Sequence, residues 1–209
     1  VAAGLVGFIL GAFVVASLGR GFGGPIGLSA KADSPTALDD TGSAIVEAPA
    51  ATTGRTGAVA PTGDTRALAE RDLTIPVQGI TSDQLVRSFH DSRTGHEHEA
   101  IDILAPRNTP VLAVEDGRIA RLFVSKAGGN TIYQFDPSGE YCYYYAHLER
   151  YADGVHEGDT VRKGQVIGYV GTSGNAPKNT PHLHFAVFRL TAQKHWWEGT
   201  PLDPYDILK

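Results

Sequence analysis

The chain of 209 residues contains one cysteine, Cys142, and no methionine. A single thiol excludes an intramolecular disulfide framework and any zinc site built from several thiolates, so a metal would have to rest on histidine and carboxylate. Cys142 itself reads as a small buried apolar residue. A basic excess is missing as well. Eighteen Lys and Arg against 23 Asp and Glu leave a formal charge of -5 and a pI near 5.9. That balance is wrong for a protein that wraps nucleic acid, and no nucleic-acid partner is expected.

Long stretches also lack whole residue classes. No aromatic lies between Gly23 and Ser88, whereas fifteen of the eighteen fall between Phe89 and Tyr205, and every histidine lies at or beyond His90. The chain therefore divides into three parts. Residues 1–18, VAAGLVGFILGAFVVASL, carry no charge, and a helix of that length nearly crosses a hydrocarbon core of about 30 Å. Residues 1–22 are read as a transmembrane anchor or as a signal peptide cut after Ala30-Lys31-Ala32, with the anchor preferred. Either reading makes the rest exported: membrane-anchored facing the periplasm or cell wall under the first, or secreted after signal cleavage under the second. Residues 23–69 are expected to form a flexible linker, being rich in Ala, Thr, Gly, Pro and Asp with too little apolar surface to offset ordering entropy. The stretch 33–66 within it, 34 residues, would reach roughly 30 Å.

Residues 70–209 are expected to form one all-β, mainly antiparallel domain. Short β-favouring runs recur at 73–77, 110–114, 117–124, 130–135, 141–148, 160–161, 165–171 and 183–189. Asp116-Gly117, Gly128-Gly129, Ser138-Gly139 and Lys163-Gly164 supply turns between them. Only 83–88 and 204–208 look like helical turns, and without helices between the strands a parallel α/β sheet is not expected. The run Gly168-Tyr169-Val170-Gly171-Thr172-Ser173-Gly174 is not read as a phosphate loop, since no helix follows it.

Three histidine clusters carry the candidate chemistry. In Pro181-His182-Leu183-His184-Phe185, strand alternation puts His182 and His184 on one face and Leu183 and Phe185 on the other. In His96-Glu97-His98-Glu99-Ala100-Ile101-Asp102, the four-residue offset of His98 and Asp102 suits one face of a strand or of a helix. Strand is preferred, because Ile101, Ile103 and Pro106 disfavour a long helix. His96 has the same parity and could replace His98 on physical grounds. In the strand 141–148, alternation puts His147 with Tyr141, Tyr143 and Tyr145, and Cys142, Tyr144, Ala146 and Leu148 opposite. One carboxylate and two imidazoles make the mixed ligand set of a catalytic zinc, with further histidines beside it to handle protons or oxyanion charge.

His98-x-x-x-Asp102, Tyr145-Ala146-His147-Leu148 and His182-Leu183-His184-Phe185, in that order, resemble the signatures of the lysostaphin-type (LytM-domain) peptidoglycan zinc metallopeptidases. The resemblance covers about residues 73–205 and includes Thr109-Pro110-Val111, Asp116-Gly117 and Val161-Arg162-Lys163-Gly164-Gln165. It implies a compact antiparallel β fold and one zinc per domain held by His98, Asp102 and His184, which settles the choice against His96. It also implies His147 and His182 as catalytic histidines and a peptide of bacterial cell wall as substrate. Two positions depart from the family: Ala100 and Asn108 stand where it usually has Gly. The alternative function is that of a non-catalytic LytM-like regulator of other wall hydrolases. Asn175–Thr180 and Gln193–Gly199 are the loops expected to set selectivity, and Trp196-Trp197 is read equally as a groove wall or as edge packing.

Overall fold

The computed structural model describes residues 63–209 except Thr94, so the expected anchor or signal helix and most of the expected linker lie outside the described residues. Among the described residues no helix is long and apolar enough to cross a membrane. The elements, in chain order, are α1 (Gly63–Ala69), β1 (Ser92–Arg93), β2 (His96–Glu97), β3 (Ile101–Leu104), β4 (Pro110–Leu112), β5 (Gly117–Ser125), β6 (Gly129–Phe135), β7 (Tyr141–Tyr151), β8 (Thr160–Val161), β9 (Val166–Val170), β10 (His182–Leu190), β11 (Gly199–Leu202) and α2 (Pro204–Leu208).

Every strand pairing is antiparallel, as the turn spacing and the lack of interleaved helices predict. β1 and β2 form a small separate hairpin. The other nine strands make one sheet with the main order β11-β10-β7-β6-β5-β8, to which β3 adds at β10 and β9, carrying β4, adds at β7. Alternation along β7 and β10 divides the interior. Tyr143, Tyr145, Leu183, Phe185 and Val187 enter the main core with Ile101, Ile103, Val111 and Ile167. Cys142, Tyr133, Phe188 and Leu190 form a smaller cluster with Trp196 and Phe123 packed against it. Burial keeps the Cys142 thiol well above its ordinary pKa, which makes it an inert packing group.

Three details differ from expectation. The segment Gly63–Ala69, assigned to the linker, forms α1, and its Leu68 is fully buried in the main core. Asp64 ties that helix down, accepting hydrogen bonds from the Arg189 guanidinium at 3.1 Å and the Tyr141 hydroxyl at 3.2 Å. The run 73–77 forms no strand beyond an isolated bridge between Val77 and Val111, because Pro76 has no N–H to donate to a ladder. The first helical turn is shorter and earlier than expected, a 3-10 turn at Ser82–Gln84, where the Gln84 side chain accepts the Thr81 N–H at 2.9 Å.

The glycine-rich run is a strand-packing device. Residues 168–170 lie in β9, and a Cβ on Gly171 would meet the Glu149 backbone nitrogen at 2.3 Å. Only glycine lets β7 come that close, and Gly171 bridges to His182 at the head of β10.

Candidate functional site

The site lies across three neighbouring strands, β3, β10 and β7. Asp102 is the cross-strand partner of His184, which pairs on its other side with Ala146. Leu183 and Phe185 are fully buried in the main core, so the pleat turns His182 and His184 to the opposite face, as alternation predicts. Asp102 points the same way for the same reason, between the buried Ile101 and Ile103.

His98 arrives differently. It precedes β3 rather than extending it, so the expectation of one continuous strand through His98 and Asp102 is corrected. Glu99 adopts a left-handed conformation, φ 52°, which breaks the strand and swings His98 back over Asp102. Two backbone bonds hold the turn, from His98 N to Asp91 O at 2.9 Å and from Glu99 N to Phe89 O at 2.8 Å. Ala100 does not occupy the left-handed position, so a side chain fits there without strain. Asn108 does occupy one, with φ 68°, and Asn tolerates that region better than most residues.

His147 corrects a second expectation. The register between β6 and β7 shifts near Asn130 and Ile132, and His147 has φ 60°. Tyr145 and Leu148 therefore both enter the core, while Ala146 and His147 both line the groove with Tyr144. Strict alternation had placed His147 with Tyr141, Tyr143 and Tyr145, but an irregularity of this kind inverts the parity beyond it.

The result is a tight cluster. His98 Nε2 lies 3.0 Å from His184 Nδ1 and 3.1 Å from Asp102 Oδ1, and His184 Nδ1 lies 3.2 Å from Asp102 Oδ1. These three side chains are the only such metal-ligating group among the described residues, and His96 is not in it although it lines the same groove. The His147 ring centroid stands 5.0 Å from that of His182 and 5.6 Å from that of His184. His182 Nε2 is 3.8 Å from Asp102 Oδ1.

Backbone carbonyls fix the proton on three of these rings. His98 Nδ1 lies 3.1 Å from Ser88 O, His147 Nδ1 3.0 Å from Ser173 O and His182 Nδ1 2.8 Å from Thr180 O. A carbonyl can only accept, so each Nδ1 carries the hydrogen and each neutral ring keeps its Nε2 lone pair. Burial is the main cause that lowers the His147 pKa to about 4, helped by His184 and His182, so this ring is neutral near pH 7. Burial likewise lowers His184, against the pull of Asp102. For Asp102 burial raises the pKa, but its close contacts with His184 and His98 outweigh it and hold the carboxyl well below its usual range.

The donor set fits a zinc ion. Tetrahedral bonds of about 2.0 to 2.1 Å separate ligand atoms by roughly 3.4 Å, within a few tenths of the spacing found here. A groove of about 520 Å³ runs over the cluster, with Asn175, Ala176, Pro177 and Thr180 on its wall. The loop 193–199 contributes nothing to that lining. Trp196 instead packs on Phe123 and Tyr133 at centroid distances of 5.4 and 4.7 Å, and Trp197 stacks on His195. One groove residue escaped sequence reasoning: Arg93 donates to Asp102 Oδ2 at 2.9 Å, and nothing in the spacing of a charged turn signals such a contact.

Comparison with known proteins bears on the same residues. The sequence profile described as Peptidase family M23 matches residues 96–204. L-Ala--D-Glu endopeptidase of Bacillus subtilis is 35% identical over 117 residues, covering 54% of this chain and 34% of that protein. Lysostaphin of Staphylococcus simulans is 37% identical over 116 residues, covering 55% and 22%. Among solved structures, Helicobacter pylori Csd3 superposes with a TM-score of 0.51 at 27% identity, covering 66% of this chain and 33% of that one. The chain thus spans about a third or less of the length of each.

Proposed function

The chain belongs to peptidase family M23, and from that premise we propose that its folded region is a zinc endopeptidase cutting peptide cross-links of bacterial peptidoglycan. The observation that carries this reading is the triangle of His98 Nε2, Asp102 Oδ1 and His184 Nδ1, with sides of 3.0 to 3.2 Å, beneath an open groove. Those three residues would hold the ion. A zinc ion bound there would supply Lewis acidity, polarising a peptide carbonyl and lowering the pKa of water to about 7.

The remaining work falls to the chain's own side chains. His147 is neutral and presents the Nε2 lone pair to the groove, so it can take a proton from an attacking water and pass it on to the leaving amine. His182, tautomer-fixed by Thr180 O, presents its Nε2 beside the ligands, where in the protonated form it donates to negative charge developing on the carbonyl oxygen. The groove wall at 175–180 orients an extended peptide across these groups.

All five residues of the set are present, which favours the hydrolase over the non-catalytic regulator. The test is digestion of purified sacculi with and without a chelator, with mass spectrometry of released peptides and metal analysis of the same preparation. Peptide release that stops on chelation and returns with zinc supports the proposal. Zinc-free protein that releases nothing but stimulates another wall hydrolase would replace it with the regulator.

The tethered, exported arrangement belongs to this proposal too: an anchor or signal at 1–22, a linker, and a catalytic domain that begins with α1 at Gly63 instead of at residue 70. A 70–209 fragment lacks Leu68, and exposing that pocket should cost about 2 to 5 kcal/mol relative to 63–209. Equal urea stability of the two fragments would return the boundary to 70.

A further inference from the structure

We infer that Arg93 is the positioning residue that assigns the two oxygens of Asp102 to different tasks, leaving Oδ1 alone to face the metal. This rests on the zinc reading above.

The division of labour is visible in the contacts. Oδ1 is the oxygen shared by His98 Nε2 at 3.1 Å and His184 Nδ1 at 3.2 Å. Oδ2 points away from them and accepts Arg93 Nη2 at 2.9 Å. Carboxylates bind cations through one oxygen or both, and the choice changes the number of open positions left on the ion. A guanidinium on Oδ2 removes that oxygen from competition and holds the carboxylate plane. Partners of this outer kind orient ligands and tune the metal, and their loss typically costs about 10- to 100-fold in affinity or activity.

Arg93 is built for that task rather than for stability. It lies on the two-strand hairpin, paired with His96, outside the nine-stranded sheet, and its side chain is 42% exposed. It is the only Lys or Arg among the groove-lining residues described. An exposed pair of this kind adds little to folding, so removing it should leave the metal-free fold intact while changing the metal site. Lysine keeps the charge but not the planar guanidinium that makes this single Nη2–Oδ2 bond, so it holds the carboxylate less firmly in one orientation.

The experiment uses the full chain as wild type, Arg93→Gln, Arg93→Lys and His184→Ala. Zinc affinity is read by competition with a chromogenic chelator, hydrolysis as separate kcat and KM, and the visible spectrum after cobalt substitution. Arg93→Gln should bind zinc about 10- to 100-fold more weakly, lose kcat more than KM at saturating zinc, and show altered cobalt absorption. Arg93→Lys should recover affinity but only part of kcat. Urea unfolding of the metal-free variants should match wild type. Wild-type zinc affinity, kcat and cobalt spectrum in Arg93→Gln would overturn the inference while leaving the zinc reading intact. A wild type that binds no more zinc than His184→Ala would remove both. If the metal-free Arg93→Gln protein were destabilised as much as its metal site, Arg93 would be a structural residue and the inference would fail.

Discussion

Asp102, His182 and His184 stand on paired strands, whereas His98 and His147 depend on backbone that no strand adopts. The first three inherit their places from the ladder: a one-residue slip of β3 against β10 would throw every side chain to the wrong face and expose Ile101, Ile103, Leu183 and Phe185, so register is enforced by the whole core. The other two are placed by left-handed residues, Glu99 at φ 52° and His147 itself at φ 60°. Each such conformation costs an L-residue about 1 to 2 kcal/mol. Local bonds to Phe89, Asp91 and Gly128 offset that cost. A sheet offers only parallel rows of side chains, and bringing five groups to one point requires leaving the regular lattice twice.

The largest test of this comparison removes one proposed zinc ligand from each class. His184→Ala and His98→Ala should both lose stoichiometric zinc and reduce hydrolysis by at least about 10³, because several kcal/mol of transition-state stabilisation go with the metal. Metal analysis and turnover on the same preparations check it. Wild-type zinc affinity in His98→Ala alone would mean that the turn at Glu99 does not deliver a ligand, and the comparison would lose half its content.

Next in size is the pair proposed to handle protons rather than metal. His147→Ala and His182→Ala should keep most of the zinc and lose about 10² to 10⁴ in kcat. One of these residues is strand-borne and the other sits at an irregularity, so equal losses would show that the route of delivery does not matter once the ring is in place. Loss of zinc as complete as in His184→Ala would make that residue a ligand, and normal turnover would deny it a role.

The same contrast explains what could be read before any coordinates. Period-two alternation is a property of regular strands, and where the strand is regular it placed His182, His184, Leu183 and Phe185 on their correct faces. It failed at His147, because parity does not survive a register shift, and the sequence Tyr145-Ala146-His147-Leu148 contains no Gly or Pro to announce one. It reached His98 and Asp102 for an incomplete reason: the four-residue offset is real, but a left-handed turn at Glu99, not strand pleat, brings the two together. The choice of His98 over His96 came from resemblance to the family, since both have the same parity. Arg93 and the carbonyls of Ser88 and Ser173 were not legible, because they meet Asp102, His98 and His147 only in the folded chain, and the Thr180 carbonyl, two residues from His182, is set by a local backbone turn that residue types do not announce. The helix at Gly63–Ala69 was missed because six polar or small residues and a single large apolar one, Leu68, fold there only against α2 and the core.

A third test uses acid. The His147 imidazole is held neutral in the fold, its pKa lowered to about 4 chiefly by burial, while an unfolded histidine titrates near 6.5. The unfolded chain therefore takes up this proton first as pH falls. Stability from this group is complete above about pH 6.5 and is lost as pH drops toward 4, by about 3 kcal/mol in the metal-free protein. His147→Gln should flatten that part of the profile in urea titrations between pH 7 and pH 4. An unchanged slope would show that the ring is solvated, and that burial at the irregular position does not shape its chemistry.

The smallest expected effect isolates backbone strain from side-chain chemistry. His147→Ala and His147→Gly remove the same imidazole and the same hydrogen bond to Ser173 O, so both should be inactive to the same degree. They differ in what they ask of a residue at φ 60°. Alanine meets the left-handed penalty of any Cβ-bearing residue, while glycine adopts that conformation freely but gives up more entropy on folding. The net difference should favour the glycine variant by about 1 kcal/mol, measured by urea unfolding of the metal-free proteins. A matched pair at His182, on regular strand β10, should reverse the order, since glycine only weakens a strand. Opposite signs at the two histidines would show that the groove is assembled from one strained and one relaxed half. Alanine favoured at both would mean that His147 carries no strain, and the distinction between the two ways of placing a histidine would collapse into one.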